Sequence, residues 1–196
     1  MNKTENWLNR EIELEIEKVA HGGIFVARHE GRVVFVSHTA PGERVRAKVF
    51  EDKGGSFCRA ETIEVLNSSQ KRVTHIWKEA DRLGAGGAEF GHLALEYQRQ
   101  LKTDVLEEAL SRMAGITQRV QVMPVPGDEL TNGLGYRTRI QLHVSEEGVA
   151  GPYKERTHTV VPVKTLPLAV AEINELGVHL KNWQDVKRIE ISTAST

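Results

Sequence analysis

The sequence predicts an α+β chain, a small N-terminal β-barrel followed by a mixed α/β region. Three observations carry this. Glu11, Glu13, Glu15 and Glu17 alternate strictly with Ile12, Leu14 and Ile16, which is the period of a strand with one apolar face. Short β-prone runs separated by Gly and Pro turns follow, with no helical period. Farther on, Tyr97, Leu101, Val105, Ala109 and Met113 recur every four residues, the stripe of an amphipathic helix. At 196 residues the chain has room for one large or two small domains.

The barrel is placed at residues 9–66. After the alternating strand, His21-Gly22-Gly23 marks a tight turn, because glycine tolerates positive φ. Further strands are expected at 31–36, 43–50 and 57–66, punctuated by Pro41-Gly42 and Gly54-Gly55. Four or five short strands in this span suggest a small β-barrel.

Residues 67–196 form the second region, opened by the polar joint Asn67-Ser68-Ser69. A helix is expected over about 95–114, with Leu106 and Leu110 flanking its stripe and Gly115 as its stop. Gln98 and Lys102 share one helix face at i, i+4 spacing. Residues 133–144, 148–153, 158–163 and 186–191 read as strands of a small sheet. Residues 167–176 read as a short helix, with Pro167 suited to its first turn and Gly177 to its end. In a strand, Arg137 and Arg139 project to the same face.

Composition narrows the function classes. Hydrophobic residues make up 39% and charged residues 27%, enough apolar material for real cores. The formal net charge is -1, so a nucleic-acid surface must be a local patch. The single cysteine, Cys58, excludes an internal disulfide and thiolate-rich metal sites, and fits a reducing cytoplasm. Residues 1–14 are charged and lack the apolar run of a signal peptide. No run approaches eighteen apolar residues, so no membrane span is expected. His75, His92, His143 and His158 match no compact metal-ligand spacing and read as hydrogen-bonded structural residues.

Between His21 and Ala60 there are seven basic residues against four acidic ones, with Phe25, Phe35 and Phe57 interleaved. Cations that track phosphates and rings that stack on bases are the means of sequence-tolerant RNA binding. On composition alone, a solvated rim over core phenylalanines is the simpler account. Farther on, Gly135-Tyr136-Arg137-Thr138-Arg139 sets two guanidiniums beside an aromatic ring. That is either a phosphate fork with a base-capping tyrosine or a pair of surface arginines matched by Glu146 or Glu147.

A resemblance shifts both readings toward RNA. Ala20-His21-Gly22-Gly23, Gly31-Arg32-Val33-Val34-Phe35-Val36, Pro41-Gly42-Glu43-Arg44-Val45 and Phe57-Cys58-Arg59-Ala60 occur in the order of a TRAM domain. This domain is an OB-like, RNA-binding barrel of RNA-modifying enzymes. Ala85-Gly86-Gly87-Ala88, His92-Leu93, Gln98 and Lys102 resemble a stretch of an RNA uracil-C5 methyltransferase family that reads Cys-Gly-Gly-Cys, His-Leu, Gln and Lys. In that family the cysteines hold an iron–sulfur cluster. The matching positions here, Glu79, Ala85, Ala88 and Leu166, offer no thiolate, so the resemblance implies a cluster-free branch. Trp77 and Phe90 are candidates to fill the vacated volume. The implied role is recognition of structured RNA, rRNA or tRNA, with a target uridine presented to a catalytic domain.

Arg32, Phe35, Arg44, Arg46, Arg59, Tyr136, Arg137 and Arg139 are the candidate RNA-binding residues. The arginines are assigned to phosphate, Phe35 and Tyr136 to stacking. No catalytic, cofactor-binding or metal-binding residue is assigned in this chain. Gly84-Ala85-Gly86-Gly87 follows no strand and lacks the acidic partner of a nucleotide site. S-adenosylmethionine and the cysteine nucleophile of uracil-C5 methylation are expected of a C-terminal methyltransferase domain of a longer parent protein. The alternatives are a stand-alone RNA-binding protein and a non-enzymatic adaptor that binds protein.

Overall fold

A computed structural model describes residues 6–194 of the chain; the first residues of the charged N-terminal segment and the last two of the second region lie outside it. The fold is α+β: a closed five-stranded barrel, then a mixed region of helices and short strands. The barrel strands are β1 (Glu11–Ala20), β2 (Ile24–His29), β3 (Arg32–Ser37), β4 (Arg44–Glu51) and β5 (Phe57–Asn67). Their order around the barrel is β1-β2-β3-β5-β4, with β4 closing onto β1. All pairs are antiparallel except β3 with β5.

Alternation works as expected in β1 and β4. Ile12, Leu14 and Ile16 of β1 and Val45, Ala47 and Val49 of the neighbouring β4 all turn into the buried interior, while glutamates and arginines point out. β2 carries no alternation to read. Ile24, Phe25, Val26 and Ala27 are all buried, because this strand is covered on both faces.

Two compact units divide the chain. One holds the barrel, residues to Thr74, and His92–Met123; the other holds His75–Gly91 and residues from Pro124 onward. The long helix α2 (Leu95–Ala114) therefore clusters with the barrel. It ends at Gly115, whose φ of 66° lets the Gly115 and Ile116 amides reach the Ser111 and Leu110 carbonyls. Its apolar stripe buries Leu101, but Met113 is 88% exposed.

A buried ion pair anchors this arrangement. Glu43 is fully buried at the start of β4, and its carboxylate accepts from Arg72 Nε at 2.7 Å and Arg72 Nη2 at 2.6 Å. It also accepts from the Thr39 hydroxyl and from the Ala40 and Ser69 amides. Arg72 bridges to Leu93, and the Ala94 amide donates to the Lys71 carbonyl, which seats the start of α2.

In the second unit lie α1 (Lys78–Leu83), β6 (Arg139–Val144), β7 (Ala150–Gly151), α3 (Ala171–Glu175) and β8 (Arg188–Ser192). The sheet order is β7-β6-β8, antiparallel throughout. The expected strand at 148–153 shrinks to two residues, since Pro152 has no amide to continue the ladder. The run at 158–163, interrupted by Pro162, makes only an isolated bridge from Val160 to Tyr153. The helix expected at 167–176 occupies only its second half.

Burial pushes the Glu43 carboxyl up, but Arg72, the Ser69 amide and the Thr39 hydroxyl outweigh it and hold its pKa below the ordinary 4.5. A carboxyl depressed in the folded state stabilises above its unfolded pKa and loses that contribution as pH falls. Glu43→Gln should therefore cost about 3 kcal/mol at neutral pH, because Arg72 keeps its charge without its partner. Denaturant melts across pH 3–7 should also show a shallower acid decline for the variant than for wild type.

Candidate nucleic-acid interface

Outward-facing residues of β2, β3 and β5 build an apolar and basic surface. Strand alternation puts Val33 and Phe35 outside and Val34 and Val36 inside. β5 lies parallel to β3 in a register that pairs Phe35 with Arg59 and Val33 with Phe57. The Phe35 and Phe57 rings meet edge to face, 5.6 Å between centroids. The Arg59 guanidinium lies over both, at 5.5 Å and 5.9 Å from the centroids, and pairs with Glu51 at 3.4 Å. Phe57 is 45% exposed, so an aromatic face capped by a cation is open to a ligand.

This surface continues into a groove of about 700 Å³ beside α2. Val26, Val33 and Phe35 form one wall; Val105, Ala109 and Met113 form the other. Lys18, Arg28 and Arg112 stand at it with Glu108, which pairs with both Lys18 (2.8 Å) and Arg112 (3.0 Å). The groove thus carries a surplus of positive charge over an apolar floor.

The structure separates the sequence-derived candidates into three groups in this unit. Phe35 and Arg59 share the surface just described. Arg44 and Arg46 stand on the outer face of β4, among glutamates of the neighbouring strands. Arg44 pairs with Glu13 at 2.5 Å, and Arg46 pairs with Glu64 and, at 3.9 Å, with Glu11. These pairs are exposed, so each is worth about 0–1 kcal/mol and a phosphate can displace the carboxylate cheaply.

Arg32 stands apart from the other candidates. It lies on the inner face of β3, in phase with Val34 and Val36, and is 6% exposed. Its guanidinium forks onto Asp52 at 2.7 Å and 3.0 Å, donates to the Phe57 carbonyl, and stacks 4.4 Å from the centroid of buried Trp7. Asp52 also accepts from the Trp7 and Gly54 amides. Its pKa is held well below the carboxylate range by Arg32, against the upward push of burial. The Arg32 guanidinium is thus committed to partners in the interior.

In the second unit, Tyr136 is 60% exposed. Arg137 donates from Nε to the Tyr136 hydroxyl and from Nη2 to the Gly87 carbonyl, both at 3.2 Å. Arg139 pairs with Glu190 across the sheet at 2.8 Å, so the carboxylates expected to match it, Glu146 and Glu147, are not its partner. Arg137 precedes β6 and makes only a single bridge, to Ala169. The two arginines nevertheless line one cavity.

Sequence reasoning missed Phe57, Lys18, Arg28 and Arg112 as site residues. Phe57 was legible, since it sits two positions before Arg59 and alternates with buried Cys58. Arg112 was not, because nothing local says which barrel strands face the helix.

Where the cluster cysteines of the resembling family would stand, the chain packs apolar atoms. Ala85, Ala88 and Leu166 are buried in one core with Trp77, while Phe90 is outside that core and half-buried. The Glu79 carboxylate accepts from the Lys164 amide. Among the described residues no group of His, Cys, Asp or Glu is arranged to hold a metal ion. Cys58 is buried in the barrel, and burial pushes its thiol pKa up, away from nucleophile chemistry. No described helix is long and apolar enough to cross a membrane.

Arg32→Ala should lower stability by about 3 kcal/mol, because it leaves Asp52 buried and unpaired. Arg59→Ala should leave the melting temperature within a few degrees. Thermal melts of the two variants side by side check this separation of roles.

Comparison with known proteins agrees with the geometry. Residues 8–63 match the TRAM domain. An uncharacterized RNA methyltransferase of Streptomyces avermitilis is 37% identical over 96% of this chain, which covers 46% of that protein. One from Bifidobacterium longum is 34% identical over 89% of the chain and 41% of its own length. A 23S rRNA (uracil(1939)-C(5))-methyltransferase of Mannheimia succiniciproducens is 34% identical over 73% of the chain and 31% of its own length. The chain spans less than half the length of these curated relatives. It carries a TRAM domain and is homologous, over nearly all its length, to the N-terminal part of RNA methyltransferases.

Proposed function

We propose that this chain is the RNA-binding and substrate-recognition part of an S-adenosylmethionine-dependent RNA uracil-C5 methyltransferase. The observation that carries the reading is the exposed Phe35–Phe57–Arg59 cluster on a TRAM barrel, contiguous with a basic groove. Rings there stack on unpaired bases, and Arg59, Arg28 and Lys18 meet the backbone phosphates. Arg44 and Arg46 extend the phosphate track by exchanging their surface carboxylates for RNA. Tyr136, Arg137 and Arg139 add contacts from the second unit. The role of the chain is to hold structured RNA, rRNA or tRNA, so that a target uridine is unstacked and offered to a catalytic domain.

Chemistry on the uridine falls to that other domain, in the cytoplasm. Among the described residues no strand–Gly-rich turn–helix unit of the kind that binds S-adenosylmethionine occurs. The described sheets are an antiparallel-dominated barrel and a three-stranded antiparallel sheet, and the Gly84–Gly87 loop follows a helix. The work of this chain is binding and orientation.

The test is binding of the full chain to structured rRNA and tRNA fragments across a salt series. Affinity should fall steeply with salt. Phe57→Ala and Arg59→Ala should each weaken it about tenfold with little loss of stability, in line with the worth of a base–aromatic stack. Salt-independent binding, or equal affinity for the variants, would sink the reading. Absence of RNA binding together with a stable protein partner would favour the adaptor alternative.

A further inference from the structure

The Gly86-Gly87 pair persists between two alanines, at a place where no cluster needs it. Its surroundings give it another task. Residues 84–86 are zipped to the segment 153–155: Ala85 bridges Lys154, the Gly86 amide donates to the Tyr153 carbonyl at 2.9 Å, and the Glu155 amide donates to the Gly84 carbonyl at 2.9 Å. Gly87 then turns at φ 106°, a conformation that side chains rarely adopt. A Cβ at Gly87 would lie 3.4 Å from Arg137 Nη1, and the Gly87 carbonyl accepts from Arg137 Nη2. The glycine loop is a cradle for one guanidinium.

That guanidinium is fixed from several sides. The Arg137 amide donates to the Leu168 carbonyl at 2.8 Å, and its carbonyl accepts from Val170 at 3.1 Å. Its side chain touches the Tyr136 ring, 5.6 Å from Cζ to centroid. Yet Arg137 has no carboxylate at ion-pair distance among the described residues, whereas Arg139 beside it is matched by Glu190. A half-buried, immobilised and uncompensated positive charge is a preorganised anion site.

It stands at a cavity of about 410 Å³ walled by Leu142, Pro152, Leu166, Pro167 and Leu168. Trp77 also borders the cavity; it is buried, and its indole Nε1 has no hydrogen-bond partner. A cavity of this size suits a single small ligand. Its donors call for an anionic, acceptor-bearing one with an apolar face.

Resting on the RNA reading above, we propose that this cavity is a pocket for a single unstacked RNA nucleotide. Its phosphate sits on the Arg137 guanidinium, and its base lies against the Tyr136 ring and the apolar wall. The site is distinct from the barrel surface, and its selectivity is for single-stranded over duplex RNA, because a paired base cannot leave its stack to enter.

The test uses the full chain with a short single-stranded oligouridine bearing one photoreactive thiouracil, and a perfect RNA duplex as comparator. The expected result is a crosslink on the peptide containing Tyr136 and Arg137, competed poorly by the duplex. Arg137→Gln should weaken oligouridine binding roughly tenfold, the worth of a charged hydrogen bond, and reduce the salt slope by about one. Tyr136→Ala, at an exposed position, should weaken it roughly fivefold and leave the slope unchanged. If the oligouridine binds but crosslinks only to the barrel, and both variants bind as wild type does, the pocket is overturned and the RNA reading stands. If wild type binds neither RNA at low salt, both fall.

Discussion

The arrangement of the first unit depends on one buried ion pair. Glu43 sits at the mouth of β4 with no exposure, and Arg72 comes to it from beyond the end of β5. Two charges out of water are tolerable only when every lone pair is matched, and here five donors converge on two oxygens. The consequence is positional. The Arg72–Leu93 bridge and the His92 Nε2 contact with the Thr39 carbonyl at 2.9 Å fix the entry to α2 on the barrel. With its start fixed, the helix runs past β1, where Lys18 meets Glu108, and forms one wall of the basic groove. The Pro-Gly-Glu-Arg-Val block thus works through its glutamate, which holds the site's second wall in place.

Arginine plays distinct parts in this chain, and environment alone sorts them. Arg32 and Arg72 are immobilised against buried carboxylates, and moving either would strand a charge in the interior. Arg44, Arg46 and Arg139 hold exposed carboxylates loosely, in water that already screens them. Arg59 is drawn over two rings and pairs with the half-exposed Glu51 at 3.4 Å, a contact that a phosphate can displace. Arg137 is held by carbonyl, hydroxyl and ring, none of which neutralises it. Counting basic residues along the sequence ranks these alike; what differs is which of them an incoming phosphate can reach and how little it must displace.

Much of this was legible from alternation. Period two in β1 and β4 reads directly as inside and outside, and the barrel follows from it. The same rule, carried one step back from Val34 and Val36, puts Arg32 inside. Its basic character argued for the surface, and its partner Asp52 lies too far along the chain for local reasoning to supply. β2 was illegible because both of its faces are covered, so apolar residues run without a break. The helix stripe was legible, but its burial was not: Met113 matches the period yet lies open at the groove. Pairing of Arg139 with Glu190 rather than Glu146 or Glu147 depends on β6 and β8 being neighbours, a fact of topology that no spacing states.

In the Ala-Gly-Gly-Ala loop the flanking side chains and the glycines are fixed by different things. Thiolates and glycines in such a stretch answer to different constraints. A cysteine is needed only where metal is bound, and an apolar side chain fills such a place in a core without leaving a buried polar atom, as Ala85, Ala88 and Leu166 do here. The glycines answer to the backbone. Gly86 approaches Tyr153 so closely that a Cβ would lie 3.2 Å from its carbonyl oxygen, and Gly87 holds a left-handed turn against Arg137. Replacing either disturbs a neighbour that remains, whether or not a cluster is present. The two glycines are therefore held to their places by Tyr153 and Arg137, whatever side chains flank them.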